Sequence, residues 1–144
     1  MAFEIAYMRS GEIPVYEERA IASGITAEIG TLLSFNSDGN LAVCGASEDP
    51  QFLINEDVVS TTAGQLVSVQ PISREAVYSA PASVSMASVK TGSAVNTLNG
   101  VSVTATATTS GSGATVLAYP EGTDIDAPVL VEFTGKTTAA ASGD

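Results

Sequence analysis

The segment Val101–Thr109 (VSVTATATT) alternates small apolar residues with hydroxyl-bearing residues. Because successive side chains of a strand point to opposite faces, this period of two predicts a β-strand with one dry and one wet face. Turn signals recur about every 8–12 residues along the chain, a spacing typical of sandwiches and barrels. No segment predicts a helix longer than one turn. The sequence therefore predicts an all-β fold, a small sandwich or barrel of short antiparallel strands with an extended N-terminal arm.

Turn chemistry predicts three hairpins. Ser37-Asp38-Gly39-Asn40 closes the first, and Leu98-Asn99-Gly100 closes the second, since Asn-Gly favours tight hairpin turns. The glycine-rich segment 110–113 predicts a third hairpin, pairing Val101–Thr109 with Ala114–Tyr119. Further strands are predicted at Phe3–Met8, Leu32–Phe35, Leu41–Val43, Phe52–Ile54, Gln65–Gln70, Arg74–Ser79, Ser93–Thr97 and Val129–Phe133.

The length of 144 residues fits one domain with an arm. Residues 1–20 are predicted to form the N-terminal arm, 21–135 the β domain and 136–144 a disordered tail. The first half carries more acids and more Ile, Leu and Phe, whereas the second is rich in Ser, Thr, Ala and Val. This shift leaves open a division of the β domain into two lobes near residues 60–80.

The chain carries a net charge of −11 with five basic residues. We therefore expect no binding to nucleic acid or to anionic membranes through a basic face. Ten acids and two bases fall within residues 1–57, a balance that would suit a basic partner surface or simply keep the protein soluble. No signal peptide is recognised, so synthesis in a cytoplasm is expected.

Residues with catalytic potential are few. The chain has no histidine, which excludes Ser-His-Asp and Cys-His catalysis. Ser88 with Lys90, and the single cysteine Cys44, are weak candidates for nucleophilic chemistry. The acids Glu121, Asp124 and Asp126 are weak candidates for binding Ca²⁺. We therefore expect a protein that is not an enzyme and has no cofactor, no metal and no small-molecule substrate.

With few residues suited to catalysis, the surface of the protein is the expected site of function. The N-terminal segment carries many apolar residues, which lie either on a partner or sister subunit or in the domain's own first strand. The hairpin at 25–43 and the dry face of Val101–Thr109 supply further interface candidates. The candidate interface residues are Phe3, Ile5, Tyr7, Met8, Ile13, Val15, Tyr16, Leu32, Phe35, Val101, Val103 and Ala105.

Three features carry a resemblance to a known family, within a layout that ends in the run VLVEF at 129–133. They are the strand entered through Ile29-Gly30-Thr31, the turn Asp38-Gly39-Asn40-Leu41 and the acidic loop Ser47-Glu48-Asp49-Pro50. This layout resembles the head decoration, or capsid cement, proteins of tailed bacteriophages, including those with a small β-tulip fold. The long Ser/Thr-rich half from about 79 to 119 departs from a minimal cement protein.

The resemblance implies a structural protein that is made in the bacterial host cytoplasm and binds the outer surface of the virion capsid. Its partners would be the major capsid protein and two copies of itself in a homotrimer. The arm and the 25–43 hairpin would contact the capsid, and small residues at 84–107 would pack the trimer. An alternative is a phage fibre-associated, tail-associated or surface adhesion module, with Tyr78 and Tyr119 as candidate contact residues. A third possibility is a Ca²⁺-stabilised β module.

Overall fold

A computed structural model describes residues 2–11, 13–46, 48–107 and 114–133. These residues form eleven strands and no helix, which confirms the all-β prediction. The described residues therefore include no helix long and apolar enough to cross a membrane. The predicted tail at 136–144 lies outside the described residues. The strands are β1 Glu4–Met8, β2 Glu17–Ile21, β3 Leu32–Phe35, β4 Leu41–Val43, β5 Phe52–Ile54, β6 Gln65–Pro71, β7 Ala76–Pro81, β8 Ala94–Leu98, β9 Ser102–Ala107, β10 Ala114–Ala118 and β11 Pro128–Glu132.

Strands β2–β6 close into a five-stranded barrel in the order β2-β4-β3-β5-β6. All its pairs are antiparallel except β2 with β4, which run parallel where Ile21 faces Leu41. Alternate residues of each strand point inward and exclude water from the barrel centre. The buried interior consists of Ile21, Ala27, Leu33, Leu41, Phe52, Ile54, Val58, Val67 and Val69.

The other six strands form a sheet in the order β1-β7-β11-β10-β8-β9. This sheet curls until β9 reaches the end of β7, where Ala82 bridges Val103 and the Ser83 N–H donates to the Val103 carbonyl at 2.8 Å. The enclosed core is built largely of Ala and Val, with three aromatic rings. Phe133 lies at its centre, 5.7 Å from the Phe3 ring and 5.4 Å from the Tyr78 ring.

The barrel and the curled sheet share this second core. Leu32, Cys44 and Leu53 point outward from the barrel and pack into the same cluster as the sheet residues. Two backbone contacts fix the junction: the Phe3 N–H donates to Gly30 O at 3.1 Å, and the Leu32 N–H donates to Gly100 O at 2.8 Å. Strand β1 therefore crosses the outer wall of the barrel on its way into the sheet.

The hairpin predicted at Asn99-Gly100 is confirmed. Strands β8 and β9 pair antiparallel, and Asn99 and Gly100 take positive φ angles of 53° and 72°, as a type I′ turn requires. The hairpin closed by Asp38-Gly39 is likewise present, pairing β3 with β4. Local turn chemistry therefore determined both of these pairings.

The third predicted hairpin is wrong. Strand β10 pairs with β8 and β11, so β8 lies between β9 and β10. The glycine-rich segment 110–113 lies outside the described residues. A six-residue connection is long enough to pass one intervening strand, because neighbouring strands are only about 4.8 Å apart. A turn signal predicts that the chain reverses, but it does not predict which strand becomes the neighbour.

Strand β2 was not predicted, because its sequence, EERAI, reads as a charged surface segment. It pairs with β6 along its full length, from Glu17 opposite Val69 to Ile21 opposite Gln65. Its inward-facing Arg19 lies over the Phe52 ring at 5.1 Å and pairs with Glu17 at 2.6 Å. A charged residue thus covers one end of the barrel through its guanidinium face, which a period-two hydrophobic pattern does not reveal.

Candidate interaction surface

Four exposed apolar side chains, here called the N-terminal face, follow one another along β1 and the connector to β2. They are Tyr7, Ile13, Val15 and Tyr16, exposed by 52%, 86%, 68% and 56%. Eleven large hydrophobic side chains are exposed in the described residues, and these four, all within the segment 7–16, are more than a third of them. Single exposed apolar residues are ordinary, whereas a concentration of them in one short segment makes that segment a candidate surface for a partner.

Two contacts of Arg9 hold the start of the connector on the sheet. Arg9 forms an ion pair with Glu132 at 2.7 Å, and the Arg9 N–H donates to Glu75 O at 2.7 Å. The Gly11 N–H then donates to Met8 O at 3.2 Å and turns the chain out of the sheet. Beyond this turn the connector borders a groove of about 120 Å³ at the junction of barrel and sheet. Its lining residues are Ile5, Met8, Ile13, Pro14, Val15, Gln70, Pro71 and Ser73.

A larger cavity, of about 340 Å³, lies between β1 and the outer wall of the barrel. Gln70 sits opposite Leu53 in the β5–β6 pair, whereas the neighbouring pair of Ile54 and Val69 points into the barrel. The Gln70 amide therefore lies on the outer wall, where β1 covers it and leaves it 8% exposed. The lining residues are Ala2, Phe3, Glu4, Ile5, Glu28, Ile29, Gly30, Leu53, Asn55 and Gln70.

The structure distributes the candidate interface residues over three environments. Phe3, Leu32 and Val103 are buried in the chain's own core, and Ile5, Met8 and Ala105 are half-buried against it. Val101 is also half-buried. Residues 4–8, left open as an arm or a strand, form β1 in the chain's own sheet. Exposed candidates are Tyr7, Ile13, Val15, Tyr16 and Phe35, the last being 47% exposed.

Phe35 lies at the end of the barrel that Arg19 covers. Its ring meets Phe52 edge-on at 5.8 Å, and Arg19 lies over the same Phe52 ring at 5.1 Å. The dry face of Val101–Thr109 has a different environment, because Val103 is fully buried and Ala105 packs against the sheet core. The chain itself thus covers the described part of that face.

The residues considered for catalysis or metal binding do not come together in one site. Ser88 and Lys90 are exposed, and Cys44 is buried with its thiol 3.4 Å from Glu48 O. In the described part of the chain no three His, Cys, Asp or Glu side chains come together as metal ligands would. Glu121, Asp124 and Asp126 are therefore exposed acids that do not form such a group.

The two tyrosines considered for an adhesion site have structural roles. Tyr78 is fully buried, and its hydroxyl accepts the Ser73 N–H at 3.0 Å. Burial raises the pKa of Tyr78, and the Ser73 hydrogen bond lowers it in part. The half-buried Tyr119 donates its hydroxyl to Val89 O at 2.8 Å, and burial raises its pKa.

Sequence reasoning missed Gln70 and the Gly30 contact. The alternation of Gln65–Gln70 does place Gln70 on the face opposite Val67 and Val69, which was an available signal. Its burial depends on β1, a strand far away in sequence, and no local pattern reports that.

No protein-family model matches this chain, and no curated protein does. Among solved structures, the chain is similar to the N base of head fiber gp8.5 in bacteriophage phi29, with a TM-score of 0.52 and 16% identity. The match covers 86% of this chain and 99% of that one. At this identity the likeness shows the fold, an arrangement that both chains share over nearly their whole length.

Proposed function

We propose that this chain is a structural protein of a bacteriophage head, which binds the outer surface of the capsid and stabilises the shell without catalysing a reaction. The observation that carries the proposal is the shared fold with the head fiber base of phage phi29, over 86% of this chain. The sequence resemblance to head decoration proteins, found in different features of the chain, supports the same role.

The N-terminal face is the proposed contact with the capsid. It offers two tyrosines, a residue type enriched among those that supply most of the binding energy at protein interfaces, and two aliphatic residues that add apolar area. The ion pair of Arg9 with Glu132 holds the start of the connector on the folded sheet, so a pull on the face is transmitted to the whole domain. The acidic balance of the first 57 residues would favour a basic capsid surface.

Assembly as a homotrimer is part of the proposal. Four exposed side chains cover less area than the roughly 800 Å² per partner of a stable interface. Three linked copies would bind neighbouring capsid subunits together, because each further contact becomes an intramolecular one. Light scattering after size exclusion should give three times the 14.5 kDa chain mass. A strict monomer at micromolar concentration would contradict the trimer.

Substitution of exposed residues tests the contact, because deletion of residues 2–16 would also remove β1 and the buried Phe3. We expect the triple variant Ile13→Ser, Val15→Ser, Tyr16→Ser to bind purified phage heads at least about tenfold more weakly in co-sedimentation. The matched control is Val59→Ser with Ile125→Ser, exposed by 77% and 59% elsewhere on the surface, and should bind like the wild type. Equal binding by both variants would refute this contact.

A second candidate function is that of a head-fiber base, which anchors a further protein instead of reinforcing the shell. The similar phi29 structure, a head fiber N base, favours it. Removing the chain should then leave the heads as resistant to heat as before but without fibers. Loss of heat resistance would instead favour the decoration role.

A further inference from the structure

The outward face of the six-stranded sheet carries almost no charge. Strands β7, β8, β9, β10 and β11 contain one charged residue between them, Glu132. Its carboxylate pairs with the Arg9 guanidinium at 2.7 Å, so the two side chains together add no net charge. In each strand the core residues alternate with residues that point away from the core. This outward set lies on a chain whose net charge is −11.

The cross-strand registers make the outward set continuous. Leu130 lies between Ser79 of β7 and Ala118 of β10. In the neighbouring row, Thr115 of β10 lies between Glu132 of β11 and Ala94 of β8. Side chains directly opposite one another on paired strands are about 5 Å apart, so these six residues form one surface, here called the sheet face. All six are half-buried, and none belongs to the sheet core.

The composition of the sheet face is that of an interface. A sheet that presents one side to water ordinarily places polar residues there. The sheet face instead combines a leucine, two alanines, two hydroxyl groups and one carboxylate that is already paired. The centres of protein interfaces are depleted in charge in the same way. We therefore expect this surface to be covered by another protein chain.

We propose that the sheet face contacts a second copy of this chain. Charge selects this occupant, because contact between two copies through their acidic surfaces would bring like charges together. The hydroxyls of Ser79 and Thr115 both donate and accept hydrogen bonds, so identical surfaces can satisfy one another. A basic partner would instead be drawn to the acidic first 57 residues. The inference rests on the proposed homotrimer, and it names the surface that assembles it.

The position of the sheet face leaves the proposed capsid contact free. The row through Ser79 reaches the exposed Glu4 on β1, so charge returns at that edge of the sheet. Strands β10 and β8 are the third and fourth strands from β1, roughly 14 Å and 19 Å along the sheet. A second copy seated over Thr115 and Ala94 therefore does not cover the connector that carries Ile13 and Val15.

Sedimentation equilibrium of the whole chain over a concentration series tests the proposal. Leu130→Glu places an unpaired acid within the sheet face, and the concentration at which half of the chains are assembled should rise at least about tenfold. The matched control is Leu66→Glu, the same substitution at a leucine that is 60% exposed on the barrel, and it should assemble like the wild type. Thr115→Glu is a second variant of the sheet face, which keeps the test decisive if Leu130→Glu does not unfold cooperatively on heating.

Salt separates this contact from one that ion pairs hold. Assembly of the wild type should strengthen between about 0.05 M and about 0.5 M NaCl, because salt screens the repulsion between acidic copies. Assembly that weakens over this range would assign the contact to charged surfaces and overturn the proposal.

The remaining outcomes separate the sheet face from the proposed function. Equal assembly of Leu130→Glu, Thr115→Glu and Leu66→Glu would overturn the sheet face and leave the homotrimer standing. A wild type that is monomeric at micromolar concentration would overturn both, whereas co-sedimentation of that monomer with phage heads would preserve the head role. Loss of head binding by Leu130→Glu with unchanged assembly would assign the sheet face to the capsid and overturn the proposal.

Discussion

Gly30→Ala is the sharpest test of how β1 is held on the barrel. Gly30 has a φ angle of +94°, and a Cβ atom built on it would lie 2.3 Å from the Phe3 carbonyl oxygen. An alanine there pays about 1–2 kcal/mol for the left-handed backbone. It must also push β1 away by roughly 1 Å to reach ordinary contact at 3.4 Å. That shift would break the Phe3–Gly30 hydrogen bond, at a cost of about 1 kcal/mol. It would also weaken the packing of the Phe3 ring against Phe133, at a further cost of about 1 kcal/mol.

The expected loss of unfolding free energy for Gly30→Ala is therefore about 3–4 kcal/mol, measured by urea denaturation. The matched control is Gly39→Ala, where φ is +81° and nothing lies within 4 Å of the added Cβ. That variant has the backbone strain without the steric overlap, so its free energy of unfolding should fall by about 1–2 kcal/mol. If the two variants lose the same free energy, the close approach of β1 to the barrel does not stabilise the fold and the reasoning fails.

Three further predictions concern the shared core. Because burial holds the pKa of Tyr78 above its ordinary value of 10.0, the unfolded state loses this proton first as the pH rises. The Tyr78 contribution to stability should thus be complete below pH 10 and decline above it; a melting temperature that falls no less steeply in Tyr78→Phe would contradict this. Phe133→Ala should cost about 3–5 kcal/mol in urea denaturation, against about 1 kcal/mol for the exposed Phe35→Ala, and similar losses would contradict the central position of Phe133. Cys44, buried to 1% exposure, should react with a thiol reagent no faster than the chain unfolds; rapid labelling of the folded protein would disprove its burial.

Local chemistry predicted much of the fold. The Asn99-Gly100 turn and the alternation beyond it gave β8 and β9, and Asp38-Gly39 gave β3 and β4, because each signal lies within a few residues of the structure it specifies. Strand β2 escaped prediction because its inward arginine is stabilised by Phe52, more than 30 residues away. The neighbours of β10 could not be predicted for a similar reason, since β10 pairs with β8 and β11 and not with the preceding strand β9.

The candidate surface was predictable only in part. The apolar residues of the N-terminal segment were visible in the sequence, but the pattern could not separate Phe3, which is buried, from Tyr7, which is exposed. Their difference comes from a register shift between Ile5 and Tyr7 in the β1–β7 pair, after which Met8 and not Tyr7 packs against the core. The Gln70 cavity depends on the crossing of β1 over the barrel wall, so it too required the three-dimensional arrangement.

Cryo-electron microscopy of phage heads is the most direct test of the proposed role. Heads that lack this protein would be imaged with and without added purified chain. We predict additional density on the outer surface of the shell, with the N-terminal face of Tyr7, Ile13, Val15 and Tyr16 turned toward the capsid. Identical maps with and without the chain, or density that contacts the shell through another face, would contradict the account.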